Sequence, residues 1–198
     1  TTERFLYEID DSDDVIDLGL QQYKPVTQHR FLERRLEIFA LLQNLKDVDC
    51  VVITLDHVEQ FYHHETVIQH APVDEATMPD DGLFSGGPMD HDLTEGMLFH
   101  MVEIIKMINP SVKVIFSVSP DPLEDTVTMD HIYIANARSK SRLISAAYSM
   151  ALEDNVDYFP SYEIISHLGQ QAYEPDRLKL KKGAKDLLCN EFFIAYLC

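Results

Sequence analysis

The chain has 198 residues, 45% of them hydrophobic, which is enough for one good core and a single main domain. Its net charge of −18 excludes nucleic acid and anionic membrane as general partners, because like charges repel. No apolar run reaches the roughly 20 residues that span a bilayer. Cys50, Cys189 and Cys198 show no C-x-x-C spacing, so a reducing, cytoplasmic compartment is expected, with Cys50 a small buried hydrophobe in "VDCVVITL". Thr1 is not an initiator methionine, which leaves room for chain upstream.

Residues 1–26 are acidic ("EIDDSDD") and weakly periodic, and read as an irregular lead-in with room for one short element. From Thr27, a candidate N-cap, Leu32, Leu36, Phe39, Leu42 and Leu45 recur at helical intervals. "CVVITL" (50–55) is a β-branched run of the kind buried on both faces of a parallel sheet. Residues 62–92 carry the histidines, prolines and glycines of a long loop, the kind of segment that often carries function. "DLTE" then predicts a helix start, with Asp92 as cap and Glu95 answering it. Met97, Met101, Ile104, Ile105 and Ile108 form the expected apolar stripe, and "NP" at 109–110 ends the helix.

"VKVIFSVS" (112–119) predicts a second strand, followed by the turn-rich "SPDPLEDT". A helix from about Ala137 to Glu153, a strand at "VDYF", a short helix near Tyr162–Leu168 and a last helix over Lys182–Leu197 complete the chain. This alternation predicts a three-layer α/β/α sandwich with a parallel sheet, occupying residues 27–198 as one domain. Ligands of such sheets bind beyond the carboxyl ends of the strands. The candidate rim is therefore "TLDHVEQF", "SPDPLEDT" and "PSYE".

Arg138, Lys140 and Arg142 concentrate positive charge in "NARSKSRL", at an expected helix start where free N–H groups favour an anion. They are a carboxylate or phosphate pocket, an ordinary cap with solvated bases, or bases paired with the surplus acids. "HHETVIQH" and "DHD" lack metal-ligand spacing and read as polar loop, so no metal is expected from His63, His64, Glu65 and His70. No G-x-S-x-G elbow is present. "DRLK" supplies Asp176 in an Asp-x-x-His-like position, but Lys179 stands where the histidine would.

"VVITLDHVEQFY", "NPSVKVIFSVSPDPLEDT", "ANARSKSRLISAA" and "NVDYFPSYEII" together resemble the GSCFA family, over about residues 30 to 185. These proteins are allied to SGNH hydrolases and linked to surface polysaccharide. The resemblance implies an SGNH-like, flavodoxin-type sandwich and, by analogy, esterase or acyltransferase chemistry on an acylated glycan, with no cofactor. The positions it marks are Thr54, Glu59, Ser119, Pro120, Pro122, Asn136, Ser139, Lys140, Ser161, Tyr162 and Glu163. On this reading Ser119, Asn136 and Asp176 are the catalytic candidates, and Asn136 donates hydrogen bonds. Lys140, with Arg138 and Ser139 beside it, holds an anionic group, while Glu59 and Glu163 orient sugar hydroxyls, flanked by Thr54, Ser161 and Tyr162. The name-giving G-S-C-F-A motif is absent from this chain, so a nucleophile is expected upstream of Thr1 or lost. Asp56 replaces the glycine usual after the first strand, where a carboxylate would repel an oxyanion. The rival expectation is a non-catalytic glycan- or partner-binding relative.

Overall fold

A computed structural model describes residues 5–9, 12–20, 24–63, 66–68 and 84–197. The chain forms two compact units, residues 1–46 with 59–88, and residues 47–58 with 89–198.

Among its described residues the first unit holds two antiparallel three-stranded sheets. Strands β1 (Leu6–Glu8), β2 (Asp14–Asp17) and β3 (Val26–Thr27) form one, so the expected irregular lead-in is a small sheet. Strands β5 (Glu59–His63), β6 (Thr66–Ile68) and β7 (Phe84–Pro88) form the other, inside the stretch expected to be loop. Tyr7, Ile16, Leu18, Phe61 and Ile68 build a common core. Pairing explains why these segments escaped periodicity: short strands satisfy their backbone groups across a sheet and need little apolar alternation.

Helix α1 (Gln28–Gln43) starts where expected, with the Thr27 hydroxyl accepting from Arg30 N–H at 3.2 Å. Its expected stripe is not buried. Leu32, Leu36, Phe39 and Leu42 are exposed, and Phe31 alone among the helix's residues is buried. Phe31 lies beneath the Arg35 guanidinium, 5.5 Å from its ring centroid, and Arg35 pairs with the buried Asp17.

The second unit is built on a parallel sheet of β4 (Cys50–Leu55), β8 (Lys113–Val118) and β9 (Val156–Phe159), in the order β4-β8-β9. Ile53, Phe116 and Tyr158 are aligned across it, as are Thr54, Ser117 and Phe159. The three strands and their parallel pairing are as expected. The burial of β4 is not: side chains alternate across a strand, so Val51, Ile53 and Leu55 meet the core while Cys50, Val52 and Thr54 lie exposed on the other face. Cys50 is accordingly exposed.

Helices α2 (His91–Ile108) and α3 (Ile132–Met150) pack on one sheet face through Leu98, Val102, Ile105, Ala146, Ala147 and Met150. The stripe of α2 therefore runs through Leu98, Val102 and Ile105, while Met97, Met101, Ile104 and Ile108 are partly exposed. Its cap is Asp90, whose carboxylate accepts from Leu93 N–H at 2.8 Å, rather than Asp92. On the opposite face Phe159 meets the rings of Phe192 and Tyr196 on α5 (Lys182–Tyr196), at 5.2 and 6.3 Å. Between β9 and α5, helix α4 (Ser161–Leu168) follows the strand immediately.

Candidate active site at the strand ends

The carboxyl ends of β4 and β8 are held by one helix. Ser119 N–H donates to Leu55 O at 2.7 Å, carrying the ladder one step past β8. Its hydroxyl accepts from Asp121 N–H at 3.2 Å, which turns the chain through Pro120. Four residues past Ser119, Leu123 N–H donates to Asn136 Oδ1 at 2.9 Å. A backbone donor fixes which amide atom is the oxygen, so the Asn136 NH2 points elsewhere, and among the described residues its donors meet no acceptor.

Ser139 and Lys140, three and four residues on, share that helix face. Ser139 Oγ accepts from Val58 N–H at 3.4 Å, and Lys140 Nζ donates to Asp56 O at 2.8 Å and to its carboxylate at 3.2 Å. Asn136-x-x-Ser139-Lys140 is therefore a clamp, gripping the turn after β8 with its first residue and the turn after β4 with its last two. Both Ser139 and Lys140 are buried.

This geometry corrects the expected anion pocket. Helix α3 begins at Ile132, five residues before the expected start, because His131 caps it by accepting from Tyr133 N–H at 3.4 Å. The three bases consequently lie within the helix, away from its free N–H groups. Arg138 pairs with Asp130 and donates to Thr128 Oγ1, Lys140 pairs with Asp56, and Arg142 donates to Met89 O. Two of the three bases thus pair with acids, as one alternative above had it, and the third meets a backbone carbonyl.

Acidic and phenolic groups surround this clamp. Desolvation, and then the negative charge of Asp56, raise the carboxyl pKa of Asp121, while Lys185 and Lys140 oppose the rise. Burial lowers the pKa of Lys140 against the pull of Asp56. Tyr173 donates to Pro120 O at 2.8 Å, and burial followed by Asp121 raises its phenol. Asp121 stood in the expected rim without being singled out, and Tyr173 carried no signal, since a lone tyrosine in a polar loop has no periodicity or spacing to betray it.

The remaining candidates scatter. Ser161 is buried and bonds Ser117 Oγ and Val118 O, each at 2.6 Å, while Ser117 also reaches Phe159 O at 3.1 Å. Two hydroxyl protons can fill only two of these three contacts at a time, and the contacts together tie β8 to the end of β9 and the start of α4. Tyr162 packs on Val58, Val118 and Leu143. Glu163 accepts from Tyr158 OH at 2.9 Å, and burial with this carboxylate raises the Tyr158 phenol. Thr54 stands exposed on the outer side of β4. Glu59 opens β5 in the other unit and is not placed with this cluster. Asp176 is exposed, its Oδ1 accepting from Leu178 and Lys179 N–H at 3.0 and 3.4 Å, which commits it to a turn. His64, Glu65 and His70 lie outside the described residues. Among the described residues, no His/Cys/Asp/Glu group could hold a metal, and no helix is long and apolar enough to cross a membrane.

The chain matches the GSCFA family over residues 16–192, through both units and the whole strand-end clamp. The chain belongs to the GSCFA family. No curated protein and no solved structure matched it. In this GSCFA protein Ser139, Lys140 and Ser161 are tied into the fold, whereas Asn136 is tied by its oxygen alone and its NH2 meets no acceptor among the described residues.

Proposed function

We propose that this chain is an SGNH-like, three-layer domain that binds an O-acyl ester of a carbohydrate at the ends of β4 and β8, with esterase or acyltransferase chemistry. The observation that carries this reading is Asn136. Its carbonyl is anchored by Leu123 N–H, which pre-orients two amide donors toward an incoming acceptor such as an ester carbonyl. Asp121, with its raised carboxyl pKa, supplies a partner for sugar hydroxyls, and the exposed thiols Cys50 and Cys189 fit a reducing, cytoplasmic setting.

A second reading, glycan binding without turnover, draws on the serines. Among the described residues no histidine bonds the Ser119 or Ser161 hydroxyl, and Asp56 places a carboxylate in the turn after β4. Titration calorimetry with an acetylated and a deacetylated xylooligosaccharide, run beside an acetate-release assay, tests both. The acetylated form should bind more tightly, and Asn136→Ala should weaken it by about ten-fold, the loss of one or two hydrogen bonds. Equal affinity for the two forms would remove the ester reading. Acetate release abolished by Ser119→Ala would favour the enzyme over the binding relative.

A further inference from the structure

We propose that Tyr133 is a specificity residue that stacks against the pyranose ring bearing the ester, an inference that rests on the reading above. Tyr133 and Asn136 are i and i+3 on α3 and so are neighbours on one face, with Lys140 a further turn along it. Exposure falls along that face, from 73% at Tyr133, through half-buried Asn136, to 1% at Lys140. The face thus runs from an open ring, past an amide whose NH2 meets no acceptor among the described residues, to a sealed floor.

A single exposed tyrosine is ordinary on a protein surface. This one is held. The ring of His131 lies 5.2 Å from that of Tyr133, at an interplanar angle of 32°, an offset contact that steadies the tyrosine ring while most of it stays exposed. The loop leading into it is fastened from the helix itself: Arg138 pairs with Asp130 and reaches Thr128 Oγ1 at 3.3 Å, and Thr128 N–H donates to Thr126 Oγ1 at 3.2 Å. A ring fixed before the ligand arrives loses little entropy on binding, and tyrosine adds a broad apolar face with a polar tip. The C–H face of a neutral pyranose suits such a platform. The charge of −18 disfavours a polyanionic sugar.

The test uses two probes on the full chain, acetylated xylotetraose and glycerol triacetate, which carries the same ester without a ring. Tyr133→Ala should weaken the oligosaccharide about five- to ten-fold and leave triacetate unchanged, while Tyr133→Phe should keep wild-type affinity. Because the chain contains no tryptophan, Tyr133→Trp adds a single reporter, whose emission should shift when the oligosaccharide binds and not with triacetate. If the wild type binds both probes and Tyr133→Ala binds both unchanged, this inference alone fails. Equal loss of both probes, with a lowered thermal midpoint, would assign Tyr133 to the fold and overturn it as well. If the wild type binds neither probe, the ester reading falls and takes this one with it.

Discussion

Lys140 illustrates how burial decides the work of a charge. Its ammonium is enclosed, yet Asp56 at the other end of the bond is 61% exposed, so truncation leaves a partner that water can reclaim. Lys140→Met should therefore cost about 2 kcal/mol, below the range for stranding a fully buried ion, and lower the thermal midpoint by about 5 °C. The pH dependence has a definite sign. Burial holds the folded pKa below the ordinary 10.5, so the unfolded chain binds more protons in the window between the two values. Stability then rises with pH through that window. Denaturant titrations should show the wild type gaining on Lys140→Met as pH approaches 10.5, and a wild type that loses ground would contradict the assignment. In the other unit, a Cβ at Gly19 would collide with the Arg35 guanidinium, which Asp17 and the Phe5 and Phe31 rings hold in place. Gly19→Ala should destabilise by about 1–3 kcal/mol, read as a lower urea midpoint at unchanged slope.

The helices show what an element conceals. In α1 the residues of best helical spacing are exposed, and the buried contact is made by Phe31, one position earlier than Leu32. Phe31→Ala should cost about 3–5 kcal/mol, whereas Phe39→Gln should stay within about 0.5 kcal/mol, a contrast that parallel thermal melts resolve. Helix α2 is apolar almost all round ("MLFHMVEIIKMI"), so spacing alone could not fix its phase; packing chose Leu98, Val102 and Ile105. Strands β4 and β8 were legible because a β-branched run ended by turn residues admits few alternatives, and β9 (VDYF) because it lies between a helical pattern and a proline. The small antiparallel strands were not, being too short to show alternation. The start of α3 was hidden by an imidazole cap, a weaker signal than serine or aspartate, and that five-residue shift turned the expected anion pocket into a clamp.

For the molecule as a whole, the family match runs through both units, but the chemistry proposed here belongs to the second, at the edge where α3 grips two strand-end turns. The motif was visible in the sequence. Its division into fold-holding and ligand-facing residues was not, because that depends on which backbone group each side chain meets. The central claim is that the acylated sugar binds at this edge. Hydrogen exchange with and without saturating acetylated xylotetraose tests it most directly, because protection reports position as well as binding. Protection should appear in residues 119–123 and 132–140 and leave α5 unchanged. Binding with protection confined to other segments, or with no change at 119–123, would contradict the account.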